Sequence, residues 1–553
     1  MKSASHWPKH LYLITSGNTP PHYHPSPETM GAKAFNLLRM ANIGLPVPPA
    51  LVIGTHYTTE PETSLLPLFA SGLPSLEEAT GQVFGDARNP LIVSVRSGSA
   101  VSMPGMMETL LNIGLCDQTI GGLLRQTGNP RLVWDAYRRL IASYGETVAN
   151  LPAALFEDEL DRATQGRDER LLDFNELREL TRLFLSLYQQ HAGQAFPQDV
   201  KAQLSGAIRA VFASWHAEKA QQYRKINQID AAIGTAVTIQ SMVFGNSGGH
   251  SGAGVGFTRD PTNGERQLWV DFLANAQGED VVSGRRNAHG HSLLASVAPN
   301  AWHKLEESTQ ALEHEFADMQ DFEFTVQDGV LYLLQTRSGK RTDLAAARIA
   351  LDLMDEGMID AAIALQRTAH LQEENLGTVR LASSDKPGAQ AAPLGQAIPA
   401  CPGVASGEIA LDEQRAVARA AAGVSVILVR QDAETSDITA LDSALGLLTQ
   451  RGARTSHAAV VARQLGKVCL VNCENLRIDL NARTLHLGEQ LLNEGDIITI
   501  DGNQGTIYSG AVAAVMVPDT ALLKRLQTLR HAHTAHTAHT TPPSSTSHRI
   551  YKK

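Results

Sequence analysis

A chain of 553 residues, 43% hydrophobic and 19% charged, has a globular composition and is too long for one ordinary core, so two to four domains are expected. Its formal net charge of −10 argues against general nucleic-acid binding, which needs a concentrated basic surface. No stretch approaches the ~20 apolar residues of a membrane span, the N-terminus lacks a signal-peptide core, and four cysteines are too few for a disulfide framework, so a cytoplasmic protein is expected.

Pro20, Pro21, Pro25 and Pro27 keep the segment before Met30 extended or loop-like. Residues 31–45, GAKAFNLLRMANIGL, place apolar residues at helical spacing, and VPPALVIG then predicts a short strand. LIVSVR at 91–96 reads as a buried strand followed by a Gly/Ser-rich loop, and residues 131–225 are helical in pattern. TAVTIQSMVFG at 235–245 returns to a strand, and residues 246–260 read as a glycine-rich turn ending in GFTRD. DFEFTV and VLYLLQTR, within 321–337, form two strands joined by the turn Gln327-Asp328-Gly329. A charged helical stretch covers about 343–377. After it, LASSDKPGAQAAPLGQAIPACPG has linker composition. A second α/β unit runs from about 402 to 515, and the end, HAHTAHTAHTTPPSSTSHRIYKK, is expected to be a structureless tail whose histidines bind metal at most adventitiously. Cys469 and Cys473 read as ordinary buried thiols, since no second ligand pair lies near them.

The segment RGARTSHAAVVARQLGK, residues 451–467, is the most informative. It places His457 between a Gly/Ser/Thr-rich turn and an apolar helical run. A neutral imidazole there can attack phosphorus, with backbone N–H groups close by to bind oxyanions. Equally, His457 can be a helix-opening residue with Thr455 or Ser456 as the cap. The segment alone leaves both readings open. Elsewhere, Lys33 sits at a helix start, where the dipole favours anions. Arg96 leads into SGSAVSMPGMMET, a loop with Gly98, Gly105 and Thr109 that lets backbone N–H groups approach phosphate. It is not a GxxxxGK[ST] loop, and SGAGVG at 251–256 fails G-x-G-x-x-G, so neither a P-loop nor a dinucleotide fold is expected. Asp321 and Glu323 share one strand face, as do Gln335 and Arg337. Two acids, an amide and a guanidinium suit Mg²⁺ with a polyphosphate, and the alternative is a solvent-facing strand pair with cross-strand ion pairs. In combination with Lys33, Arg96 and the glycine loop, the phosphate reading is favoured.

Together these residues resemble the pyruvate, phosphate dikinase family. The resemblance is carried by GAKAFNLLRMANIGLPVPP, LIVSVRSGSAVSMPGMMETLLNIGL, MVFGNSGGHSGAGVGFTRDPTNGE, NAQGEDVVSG, DFEFTVQDGVLYLLQTRSGKRT and TSHAAVVARQLGK, in the family's order. It implies an α/β and α+β multidomain protein. An N-terminal extension (1–29) would precede an ATP-grasp domain at 30–342. A helical segment and linker (343–400) would join it to a swivelling phosphohistidine β/β/α domain at 401–515, with a tail at 516–553. It further implies that Lys33 and Arg96 bind ATP phosphates under the loop of Gly105 and Thr109. Gln240 and Met242 would lie at the adenine. Glu323 and Gln335 would hold Mg²⁺ beside Asp321, Arg337 would stabilise transferred charge, and His457 would carry the phosphoryl group. Thr455 matches a position phosphorylated in plant members. The family usually reads GGK and GGMTSH where this chain has Gly31-Ala32-Lys33 and Gly452-Ala453-Arg454-Thr455-Ser456-His457. Loss of each glycine narrows the allowed backbone, and Arg454 would either pair with the phosphoryl group or depress the imidazole.

The family continues into a (β/α)8 barrel that binds pyruvate, for which this chain has no room after Val515. The expectation is therefore a phosphotransferase that charges His457 from ATP and inorganic phosphate and delivers to an acceptor, most simply pyruvate, on a separate barrel. A different acceptor, or an ATP-sensing module without turnover, are the alternatives.

Overall fold

The computed structural model describes residues 7–17, 24–101, 103, 106–282, 289–382, 392–432, 438–452, 454 and 456–540. Two antiparallel five-stranded sheets organise the N-terminal half. The first runs in the order Leu11–Ile14, Ala50–Ile53, Ala236–Ser241, Val93–Gly98, Thr109–Ile113. Ala236–Ser241 is buried along its whole length because both faces of this sheet are covered. On one face Val93, Val95, Val237 and Ile239 pack with helices Pro130–Thr147, Phe174–Ala192 and Val200–Ser214. On the other, Tyr12, Ala50 and Val52 meet the helix Ala32–Asn42 and three phenylalanines of the second sheet.

The second sheet runs Val330–Ser338, Gln320–Gln327, Gly252–Phe257, Trp269–Ala274, His289–Gly290. Its outer pair is the expected hairpin, with Asp328 (φ 50°) and Gly329 (φ 81°) both left-handed at the turn. The glycine-rich turn expected at 246–260 is corrected in part: Gly252–Phe257 is a fully buried strand in mid-sheet. Its three glycines lie under aromatic rings. A Cβ would fall 2.1 Å from Phe272 at Gly252, 2.3 Å from Phe324 at Gly254 and 2.7 Å from Phe322 at Gly256. The missing side chains are thus the room that the neighbouring strands fill.

In the C-terminal half, an eight-stranded sheet has the order Gly395–Gln396, Thr506–Ser509, Ile497–Asp501, Val404–Ala410, Val426–Arg430, Gly446–Thr449, Val468–Val471, Ile398–Cys401. Val404–Ala410 to Val468–Val471 are parallel neighbours, crossed over by Glu413–Ala421, Ile438–Ser443 and His457–Gln464. A three-stranded sheet over 476–493 covers one side. The chain is an α/β and α+β multidomain protein.

Two expectations fail near the connections. The linker composition near 378–400 hides a strand: Gly377–Leu381 pairs antiparallel with Ala514–Pro518, and 392–401 already belongs to the C-terminal sheet, while 383–391 lies outside the described residues. The tail is not structureless as far as Thr540, because Thr520–Thr540 is helical; residues 541–553 lie outside the described residues. Leu522, Leu526 and Leu529 repeat at helical spacing and are buried with Leu344, Leu351 and Leu353 of the helix Asp343–Asp355. Arg525 pairs with Asp352 and Asp355, and Arg348 with Asp519, at 2.8 Å each. Leu526→Ala is therefore expected to lower stability by about 2–4 kcal/mol, read as a lower urea midpoint, an effect that a loose tail would not give. Among the described residues, no helix is long and apolar enough to cross a membrane.

Candidate active site

Four elements carry the charged residues: the helix Ala32–Asn42 and the strands Val93–Gly98, Gln320–Gln327 and Val330–Ser338. Lys33 lies in the first turn of Ala32–Asn42, which is fixed to the second sheet by Asn36 Nδ2 donating to Thr336 O (2.9 Å). It is fixed to the first sheet by Ala32 N donating to Ser99 O (3.0 Å). Gly31 allows this approach, with φ 76° and a virtual Cβ only 2.2 Å from Gly98 O. Ala32, where a second glycine is usual, already has helical backbone, so its methyl is accommodated. Arg96 enters from Val93–Gly98, paired with Thr238 and with the exposed Thr109 at the head of its strand. Its Nε is buried with no hydrogen-bond partner among the described residues, which suits an anion.

The second sheet supplies the rest. Glu323 pairs with Gln335 and Asp321 with Arg337, so the period-two reading of both strands holds. Gln335 Nε2 donates to Glu323 Oε1 (3.2 Å), and Arg337 Nε to Asp321 Oδ2 (2.7 Å). Among the described residues no hydrogen bond or ion pair engages the terminal nitrogens of Arg337. Burial draws the Lys33 ammonium below its ordinary range; Glu323 opposes this, and Arg96 and Arg337 add to it. Protein surrounds Lys33, yet its side chain keeps contact with solvent. Burial likewise raises the Asp321 carboxyl against the pull of Arg337, while Asp321 and Glu323 raise Arg337 in spite of its own burial. The pair is ionic at 2.7 Å. Arg96, Arg337 and the half-buried Glu323 thus gather about Lys33, an excess of cations of the kind a polyanion requires, and Glu323 and the Gln335 amide carry oxygens of the kind a hard divalent cation takes.

Gln240 is buried, its amide donating to Pro48 O (3.4 Å), and Met242 packs against the helical core. Among the described residues no hydrogen bond or ion pair links either to the charge cluster. Gly105 and Thr455 lie outside the described residues.

His457 opens the crossover helix His457–Gln464, beyond the carboxyl end of the parallel strand Gly446–Thr449, the position at which open α/β sheets place their ligands. Ser456 is the N-cap, accepting from Ala459 N (3.4 Å), so the capping reading holds for Ser456 and leaves His457 at the positive end of the helix. The flanking arginines reach the second sheet. Arg454 pairs with Asp271 and lies over Trp269. Arg463 is buried beside Phe257 and Trp269, and its burial holds it below the usual guanidinium range. Asp271, Trp269 and Arg463 were not singled out from the sequence. Their available signals were a single acid inside the apolar run WVDFLA and one arginine inside an apolar helix. All four cysteines are free and buried, with Cys401 and Cys473 pushed up to about 11 by that burial.

Two family models match the chain: the pyruvate phosphate dikinase AMP/ATP-binding domain over residues 70–294, and the PEP-utilising enzyme mobile domain over residues 423–505. Pyruvate, phosphate dikinase from Clostridium symbiosum is 41% identical over 496 residues, covering 87% of this chain and 56% of that protein. The chloroplastic pyruvate, phosphate dikinase 1 of Arabidopsis thaliana is 39% identical over 527 residues, covering 91% of this chain and 54% of that protein. The Rhizobium meliloti (strain 1021) dikinase is 41% identical over 508 residues, covering 88% and 56%. The chain spans about half the length of the curated relatives it matches. On these matches, it belongs to the pyruvate, phosphate dikinase family of PEP-utilising enzymes.

Proposed function

We propose that the chain is an ATP-dependent phosphotransferase whose carrier is His457. The observation that supports this most is the convergence of Arg96, Arg337 and Glu323 on Lys33, from elements far apart in sequence. In this reading ATP lies across that cluster in an ATP-grasp unit at 30–342, and the carrier belongs to a mobile unit at 401–515. An imidazole nitrogen of His457 attacks the β-phosphorus. The N–P bond forms as the bond from Pβ to the α,β-bridging oxygen breaks, and AMP leaves with that oxygen. An oxygen of inorganic phosphate then attacks the γ-phosphorus as its bond to the β,γ-bridging oxygen breaks; pyrophosphate leaves, and that oxygen stays on the β-phosphorus as phospho-His457. Lys33, Arg96 and Arg337 offset the charge that spreads over the equatorial oxygens, and their fixed geometry aligns donor and nucleophile. Glu323 and Gln335 would hold Mg²⁺, whose chemistry would be charge neutralisation of the polyphosphate. Gln240 and Met242 border the adenine, and Thr109, opposite Arg96 at the head of its strand, lies beside the phosphates. The acceptor is proposed to be pyruvate on a separate barrel chain, and the buried free thiols suit a reducing cytoplasm.

The test is incubation with Mg²⁺, phosphate and ATP labelled at the β-phosphorus. The expected result is acid-labile label on the native chain and none on His457→Ala. An unlabelled native chain refutes the proposal, and label that survives the substitution assigns the carrier elsewhere. Phosphoenolpyruvate formed from pyruvate by this chain alone would refute the separate acceptor.

A further inference from the structure

The sheet face that carries the charge cluster also carries the ground on which the carrier loop rests. Strand pairing sets Asp271, Val255, Glu323 and Gln335 in one row, and Trp269, Phe257, Asp321 and Arg337 in the next. Residues directly opposite in antiparallel strands point to the same side, and adjacent strands lie ~4.8 Å apart, so Asp271 stands roughly 10 Å from Glu323 on a shared face. Arg454, three positions before His457, reaches this face. Its Nε and Nη2 donate to Asp271 Oδ1 at 3.2 and 3.0 Å, Nη2 also donates to Val270 O at 3.3 Å, and its guanidinium lies 4.4 Å from the Trp269 ring centre. Asp271 is 3% exposed, so the pair is not a solvated surface contact. Arg463, on the helix that His457 opens, braces the loop from behind. Its Nη2 donates to Arg454 O (3.2 Å) and Ala400 O (2.9 Å), and its guanidinium lies 5.1 Å from the Trp269 ring and 5.3 Å from that of Phe257.

We infer that Arg454 is a positioning residue that docks the His457 loop onto the phosphate-bearing face through Asp271 and Trp269. The carboxylate of Asp271 occupies its guanidinium, so Arg454 acts on the carrier by placing it rather than as a charge on the transferred group. Because the pair is largely buried, salt screens it far less than it would a surface ion pair. The consequence for phosphoryl transfer rests on the proposed ATP-to-His457 reaction, whereas the docking itself does not.

The test is a double-mutant cycle of Arg454→Met and Asp271→Asn in the full chain, with three readouts: hydrogen exchange, ATP affinity, and the single-turnover labelling rate at saturating ATP. Each single variant is expected to raise exchange in Trp269–Ala274 and in 456–464, and to slow labelling about 10- to 100-fold, with ATP affinity within about twofold of native. The double variant is expected to be no worse than either single one. Native exchange at both segments in Arg454→Met, or additive effects in the cycle, would overturn the inference. So would a general rise in exchange with loss of ATP affinity, which marks a merely structural role. A native chain that takes no label defeats the transfer reaction, and the exchange data still decide the docking.

Discussion

Arg337→Ala is expected to slow labelling of His457 from β-labelled ATP by about 10³-fold or more, with a much smaller loss of ATP affinity. The guanidinium is held through Nε by Asp321 at 2.7 Å, which orients the planar group and leaves its terminal nitrogens for the ligand. A fork held in this way matches two phosphate oxygens at once, and its worth is greatest where charge spreads over the group in flight. Arg337→Lys is therefore expected to recover little, because an ammonium supplies charge without the fork and cannot take the same contact with Asp321. Asp321→Asn, which keeps the cation and loosens its hold, should fall between native and Arg337→Ala. Rapid-quench rates and ATP dissociation constants for the four proteins separate the terms. If rate and affinity fall equally, Arg337 serves ground-state binding and not the transfer.

Gly31→Ala should have the largest effect on the site as a whole. The position combines φ 76° with a virtual Cβ 2.2 Å from a backbone oxygen and 2.6 Å from its carbon, and backbone cannot swing aside as a flexible side chain can. An L-residue held at φ 76° and ψ 149°, a region essentially confined to glycine, costs about 1–2 kcal/mol, and forcing the two segments apart adds about 1–3. A chain that still folds would have moved the start of Ala32–Asn42 away from Val93–Gly98, which separates Lys33 from Arg96. The expected result is a loss of about 2–5 kcal/mol in urea unfolding together with loss of ATP binding. Ala32→Gly, one residue on, is expected to change stability by less than about 1 kcal/mol. Equal effects at the two positions would mean that the close approach to Gly98 does not govern the site.

The parts of this site that could be read from the sequence are those set by local periodicity. Alternation along DFEFTV put Asp321 and Glu323 on one face, the Asp328-Gly329 turn announced its hairpin, and the small polar residues before AAVVARQ announced a capped helix at His457. What could not be read depends on partners far away. Gly252–Phe257 looked like a turn because its glycines are explained only by phenylalanines in two other strands. Gly377–Leu381 looked like linker because its partner strand is Ala514–Pro518. The polar repeat after residue 530 masked the leucines just upstream, whose burial needs the helix at 343–355. Arg454 could be read as an oddity but not assigned, since the residue that explains it lies 183 positions earlier.

The ribbon of Gly377–Leu381 against Ala514–Pro518 has a mechanical meaning. The chain leaves for the segment that holds His457 and returns from it through adjacent strands, with Leu381 opposite Ala514. Residues 382–513 thus hang from a double-stranded stalk. Such a stalk can tilt at its ends, but pulling the segment away means unzipping five paired positions. The two cut ends would lie only about 5 Å apart, close enough for a short connector to close them. The segment thus enters and leaves at one place, as an inserted unit does, while the Arg454–Asp271 pair and Arg463 beside Trp269 fasten it to the second sheet.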